Sequence, residues 1–316
     1  MSTNALLPKN ASVYAPASVG NIGPGFDTLG MAVTGMGDTL SGSLDPGLGA
    51  DTIDLITGSW TDIPSDPKEN TAGIAARLML DRAGIPSFFR MSIAKGVPGS
   101  GLGSSAASAV GGAFLAHVLC GSPFSMEEIL EAALIAESRV SGGTFLDNIS
   151  ACLFGGITVS HGQSRSSLPV GFIGGIHLLF VIPRTTIRTS DARQILPEEV
   201  PRNHAVGALS NTAGILAGLI RQDAGLFCSR VSDPMIEPYR KSLIPGFDAL
   251  REAAMGAGAD GFAISGAGST TMALTHRPDR IEPVRNALAN TLALLRQEAS
   301  VVLSTIDPKG VRLANP

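Results

Sequence analysis

The run VPGSGLGSSAAS, from Val97 to Ser108, constrains this chain more than any other stretch. It packs glycine and serine into one short segment and then enters an apolar run from Ala106 to Cys120, and between Gly96 and Met126 the only side chain able to carry a charge is that of His117. The apolar part is shorter than the roughly 20 residues a bilayer-spanning helix needs, so a helix buried inside a soluble domain is the reading that fits. A glycine loop entering a helix exposes backbone N–H groups, and the first helical turn adds unpaired donors and a partial positive charge, which together form an anion site. No lysine follows the glycines, and Gly99, Gly101 and Gly103 do not give GxGxxG, so the two commonest nucleotide loops are excluded. A helix packed so tightly that only Gly, Ala and Ser fit is the alternative. Ser104 and Ser105 weigh toward a ligand, because a hydroxyl at a helix N-terminus can also bind Mg²⁺ beside a nucleotide.

The rest of the chain excludes several other classes. With 316 residues, 44% hydrophobic and 16% charged, it can bury a sizeable core, and a net charge of −4 without a basic block offers nothing to nucleic acid or to an anionic membrane. Cys120, Cys152 and Cys228 lie far apart without CxxC spacing, which implies neither a disulfide framework nor a zinc site and fits a reduced, cytoplasmic setting. MSTNALLPKNASV lacks the basic-then-apolar pattern of a signal peptide.

Strand and helix patterns alternate irregularly. VYAPASVGN reads as a strand, TIDLITG and FFRMSIAKG as two more, and NTAGIAARLMLDRA as a helix with Ile74, Leu78 and Met79 on one face. Ser104 to Leu119 and MEEILEAALIAESRV, with Ser125 as N-cap, are the next helices, and CLFGGITVS reads as a strand. The polar GQSRSSLP is the expected junction, dividing the chain into residues 1–165 and 166–316. The second part reads as strand IHLLFVIP, a polar loop through Thr189, helices NTAGILAGLIR and PGFDALREAAMGAG, strand GFAISG, a helix ending near Gln297, and a last strand. The order is α+β in each half.

Five ordered stretches carry a specific resemblance. GLGSSAAS resembles the phosphate loop of the GHMP kinases, a family of small-molecule kinases, and FAISGAGSTTMAL, from Phe262, resembles that family's C-terminal glycine motif. YAPASVGNIGPGFDTLG, from Tyr14, together with TSDARQILP and IEPYRKSLIPGF, resembles the branch that phosphorylates homoserine. The resemblance implies an N-terminal domain like ribosomal protein S5 domain 2, a ferredoxin-like C-terminal domain and a cleft between them. It implies ATP and Mg²⁺ as cofactors, L-homoserine as substrate on the route to threonine, and a homodimer. Another GHMP kinase acting on a carboxylated alcohol, or a catalytically silent sensor, stays open as an alternative.

The same resemblance distributes roles over residues. ATP would meet Asn70, Lys95 and the loop Pro98, Gly99, Ser100, Gly101, Leu102, Gly103, Ser104, Ser105, Ala106 and Ala107, and the metal would lie between Ser105 and Glu137. Read without it, Asn70 is equally an N-cap and Glu137 a helix charge with apolar neighbours. Asn21, Asp27, Thr189, Arg193, Arg240 and Gly266 would bind the amino acid, the arginines because a guanidinium fork suits a carboxylate, and Asp27 as a partner for an ammonium. Asp147 and Asn148 match the catalytic Asp-Asn pair, as a base or as orienting groups. Three positions depart from the pattern: the loop is one residue short between Pro98 and Gly101, Phe145 replaces a histidine, and Ser269 replaces a proline, the last with little expected consequence.

Overall fold

A computed structural model describes residues 8–58, 60–141, 145–185 and 187–314, so the leader-free reading of the amino terminus falls partly outside the described residues. The first half builds a sheet from β1 (Ala11–Gly20), β2 (Leu29–Asp45), β3 (Thr52–Gly58), β4 (Phe88–Lys95), β5 (Ile157–His161) and β6 (Ser166–Gly171), interleaved with helices α1 (Thr71–Arg82), α2 (Ser104–Leu119), α3 (Met126–Ser141) and α4 (Leu146–Phe154). The second half adds strands β7 (His177–Pro183), β8 (Gly261–Ile264), β9 (Thr271–Thr275), β10 (Ala299–Ser304) and β11 (Arg312–Leu313). Its helices are α5 (Thr189–Gln194), α6 (Arg202–Arg221), α7 (Ala224–Ser229), α8 (Glu237–Arg240), α9 (Phe247–Gly256) and α10 (Ile281–Leu294).

The first sheet runs β11-β1-β2-β4-β3, with β5 on β2 and β6 on β5, and only β3 and β4 pair in parallel. Two expectations change here. Cys152–Phe154, expected as strand, closes α4, because Asp147 to Phe154 keeps a helical apolar face and the chain reverses only at Gly155, where φ is +75°. GQSRSSLP is the turn and return strand of the β5–β6 hairpin, so the first sheet continues to Gly171 and takes β11 back from the far end of the chain.

Helix α2 is the axis of the first half. It lies between β1 and β2 on one side and α1 and α3 on the other, which is why it carries no acidic or basic residue other than His117. A side chain at Gly111 would collide with Leu40, and one at Gly112 with the Ala72 backbone, so close packing and an exposed N-terminus both explain its composition. Helix α3 opens with a reciprocal cap in which Ser125 N–H donates to Glu128 and Glu128 N–H donates to Ser125 Oγ.

The second sheet runs β10-β7-β9-β8, antiparallel throughout. Alternation along β7 decides which core each residue enters. Leu179 and Val181 pack with Phe247, Leu250, Val284 and Leu288 of α9 and α10, while Leu178, Phe180 and Ile182 join the cluster that runs through the first half. One apolar cluster therefore runs through both halves, and a second lies within the second half between its sheet and α9 and α10. No helix among the described residues is long and apolar enough to cross a membrane.

Candidate active site

A cleft of about 560 Å³ opens between the halves, and it is lined by the loop before α2, the start of α1, the start of α4, α5 and the glycine turn between β8 and β9. The loop's course follows from its glycines. Gly101 and Gly103 have φ near +70°, and side chains there would meet the Ser265 carbonyl and the Ser18 hydroxyl respectively. Gly103 is the residue before α2 and has no side chain to cap it, so the first-turn N–H groups of α2 face the cleft as anion donors.

The second glycine motif fastens this loop. Ser265 Oγ donates to the Gly101 carbonyl at 2.7 Å, Thr270 Oγ1 donates to the Ser100 carbonyl at 2.6 Å, and Ser269 N–H donates to Ser100 Oγ at 2.9 Å. Ser269 Oγ also meets Ser100 Oγ and donates to the Thr185 carbonyl at 2.6 Å. The proline replacement is thus consequential, since a proline would supply neither the N–H nor the hydroxyl.

Beneath the loop, Lys95 and Asp38 form a fully buried ion pair. The ammonium also donates to the Ser104 carbonyl at 3.1 Å and Ser108 Oγ at 2.9 Å, while Asp38 accepts from the N–H groups of Gly96 and Val97 and from Ser108 Oγ. All three ammonium donors are engaged inside the protein. Lys95 therefore braces the loop from below, and Asp38, which the sequence reading passed over, is its partner. Leu102 and Ala107 point into the core, while Gly99, Ser100, Gly101, Gly103, Ser104, Ser105 and Ala106 line the cleft, Ser100 with its hydroxyl locked to Ser269. Pro98 lies off the cleft wall, and Gly99 packs against Trp60. Asn70 is the N-cap of α1, accepting from Ala72 N–H at 2.9 Å and donating to the Pro64 carbonyl at 2.7 Å.

Ser105 Oγ donates to Glu137 Oε1 at 2.7 Å, so the two residues expected at the metal are neighbours. A hydroxyl and one carboxylate are hard oxygen donors, the set that holds Mg²⁺ when substrate phosphates complete the shell. Among the described residues no group of three His, Cys, Asp or Glu forms a metal cage.

At the other end of the cleft, Asp147 lies in the first turn of α4, where its carboxylate accepts Asn21 N–H at 3.0 Å and Asn148 N–H at 2.9 Å. Burial, followed by the nearby Asp27 charge, pushes its pKa up to about 6 against the pull of those amides. Side chains at Gly20 and Gly30 would collide with Asp147, so β1 and β2 must stay bare where α4 docks. Asn148 accepts from Ser18 Oγ at 3.2 Å. Asn21, with φ +70°, donates from Nδ2 to the Gly266 carbonyl at 2.8 Å and accepts Asp27 N–H at 2.9 Å, which ties the β1–β2 turn to the second glycine motif.

Arg193 and Arg240 arrive from the second half. Arg193 on α5 pairs with Asp27 through one nitrogen, Nη2, which donates to both carboxylate oxygens at 2.8 and 3.0 Å, and Thr189 opens the same helix on the cleft wall. Arg240 is buried, donating to the carbonyls of Ala192 and Gly266, and burial lowers its pKa. Asp233 places it by accepting the N–H groups of Met235, Ile236 and Glu237 at the start of α8. Phe26 lies under both guanidinium groups, 5.5 Å from Arg193 and 5.1 Å from Arg240, and Phe145 is 5.7 Å from Arg193. Phe26 stands inside the motif YAPASVGNIGPGFDTLG, where its ring gave no sign of a role, and Asp233 lies outside every motif and reads as a surface acid.

An anion-binding helix start facing an opposed pair of carboxylates and guanidiniums across one cleft is the plan of a small-molecule phosphotransferase. Residues 70–156 match the model of the GHMP kinases N terminal domain and residues 215–294 that of GHMP kinases C terminal. A homoserine kinase of Methanocella arvoryzae is 35% identical over 96% of this chain and 97% of its own length, and one from Arabidopsis thaliana is 36% identical over 97% and 85%. The crystal structure of homoserine kinase from Cytophaga hutchinsonii superposes with a TM-score of 0.92 at 31% identity, covering 99% of this chain and all of that one. Leishmania major mevalonate kinase, at 18% identity and a TM-score of 0.70, shares the fold alone. The chain belongs to the GHMP kinases and, within them, to the homoserine kinase family.

Proposed function

We propose that the two ends of the cleft are the two substrate sites of one phosphoryl transfer, with ATP phosphates at the start of α2 and the L-homoserine zwitterion between Asp27 and the two arginines. The reaction of the family is ATP + L-homoserine → O-phospho-L-homoserine + ADP, a step toward threonine. The observation that carries the site assignment is the Asp27–Arg193 ion pair. An α-amino acid bears the same two charges, so binding would split that pair, its ammonium taking Asp27 and its carboxylate taking Arg193 and Arg240. Charge is conserved and each partner keeps a counterion.

Phosphoryl transfer asks for positioning and charge compensation more than for covalent help. Asn148, with its carbonyl oxygen turned to Ser18 and Nδ2 donating to Asp147 Oδ1 at 3.5 Å, keeps its second amide hydrogen to orient the substrate hydroxyl, and Asp147 holds Asn21 and Asn148 in place through their backbone N–H groups. Mg²⁺ held between Ser105 and Glu137 would neutralise charge on the phosphates. A cytoplasmic setting and a homodimer complete the reading. Support for the dimer is the exposed face of α6, where Val206, Leu209 and Ile220 share one side.

A coupled ADP-release assay over homoserine, serine, threonine, mevalonate and sugars, with metal titration, tests the reading. Turnover on homoserine alone, abolished by Arg240→Ala at ordinary substrate levels and shifted in metal dependence by Glu137→Gln, is the expected result. ATP binding with no turnover on any alcohol would convict the proposal and indicate a sensor.

A further inference from the structure

We infer that Phe145, together with Phe26, is a positioning residue that keeps the Arg193 guanidinium in the cleft without neutralising it. The inference rests on the reading that Arg193 takes the substrate carboxylate. Among the described residues Arg193 is the one side chain of α5 in an ion pair across the cleft, and it is about half exposed, at 45%. When an incoming ammonium takes Asp27, that guanidinium exchanges its fixed protein carboxylate for the mobile one of the ligand, and Asp27 no longer keeps it from swinging into water. What remains are the two rings, 5.5 and 5.7 Å from its carbon. An aromatic face attracts a cation through its quadrupole and accepts no conventional hydrogen bond, so every N–H stays available for the ligand. A second carboxylate would hold the arginine more firmly and compete for the same donors, and a histidine would repel it whenever protonated. Phe145 directly precedes α4, the helix that carries Asp147 and Asn148, so one residue couples the arginine's position to the site of transfer.

Three variants test this: Phe145→Leu, Phe145→Tyr and Arg193→Ala, with the double variant Phe145→Leu/Arg193→Ala, each assayed for homoserine KM, ATP KM and kcat. Loss of one ring should raise the homoserine KM about 3- to 10-fold, with ATP KM and kcat held within about twofold. Tyrosine, which keeps the face, should restore the parent value. In the Arg193→Ala background Phe145→Leu should have no further effect on kcat/KM. An unchanged kcat/KM for homoserine in Arg193→Ala would overturn the carboxylate assignment itself. A large effect of Arg193→Ala with none from Phe145→Leu, or an effect of Phe145→Leu that persists undiminished without the arginine, would leave that assignment standing and sink the role of the ring. An unchanged ATP KM in each variant reports that the fold is intact.

Discussion

Replacing Lys95 by methionine separates two roles for the residue before the phosphate loop. In the structure the ammonium is buried against Asp38, and methionine keeps the chain's bulk while removing the charge and its three hydrogen bonds. Removing one partner of a buried pair costs about 3–5 kcal/mol, mainly because the other charge is left behind. Asp38 keeps three donors, from Gly96, Val97 and Ser108, which places the loss at the lower end, about 3 kcal/mol. With an unfolding entropy of about 2.1 cal/mol/K per residue, that loss lowers Tm of a chain this long by about 4–5 °C. Adding Asp38→Asn, which removes the stranded charge and keeps an acceptor for the two amides, should recover at least about 1 kcal/mol. Urea unfolding followed by circular dichroism gives the stabilities, and ATP titration well below Tm gives the affinity, which should change by less than about threefold. An ammonium lost from a phosphate would instead cost about 1.5–3 kcal/mol of binding, roughly 10- to 150-fold in Kd. Unchanged stability with that loss of affinity would refute the brace.

Asn148→Ala should lower kcat about 100-fold with ATP affinity retained, as its proposed role of orienting the acceptor and not the nucleotide requires; calorimetry with ATP and steady-state rates decide it. Asp147 and Glu237 are both raised by burial, to about 6 and about 7, from ordinary carboxylate values near 4. The native state therefore binds more protons than the unfolded chain between pH 4 and 7, and stability should fall as pH rises through that window. Glu237→Gln should flatten part of the slope in urea titrations from pH 4 to 8, and an identical slope would remove Glu237 as a contributor. Trp60 is the chain's single tryptophan and lines the cleft beside Gly99 and Asn70, so its emission should shift on ATP addition and not on homoserine addition.

Much of the loop end of the cleft was legible because its chemistry is local. Glycines at Gly101 and Gly103, serines at the helix start and an uncharged helix behind them are one continuous stretch, and the backbone they require is a property of those residues alone. Glu137 could be guessed only through resemblance, since a carboxylate on an amphipathic helix gives no sign of facing a serine 32 positions earlier. Lys95 shows the limit most plainly. A lysine at the end of a strand beside a phosphate loop reads as a phosphate ligand, and only the pairing of β2 with β4 brings Asp38 under it to consume the charge.

By itself, then, the amino-acid order determined the α+β class, the elements around α2, the loop that turns backbone N–H groups toward an anion, and the residue types a homoserine kinase needs. The tertiary structure alone decided which of those residues face the cleft and which brace it. It tied Ser100 to Ser269 and Lys95 to Asp38, made Ser269 a clasp between the halves, returned β11 to the first sheet and set Arg193 between two rings against Asp27. The reason is the range of the forces involved. Backbone conformation and helix starts depend on neighbours in sequence, whereas burial, ion pairing and hydrogen-bond competition depend on neighbours in space, and here Asn21 and Gly266 bond across 245 positions of the chain.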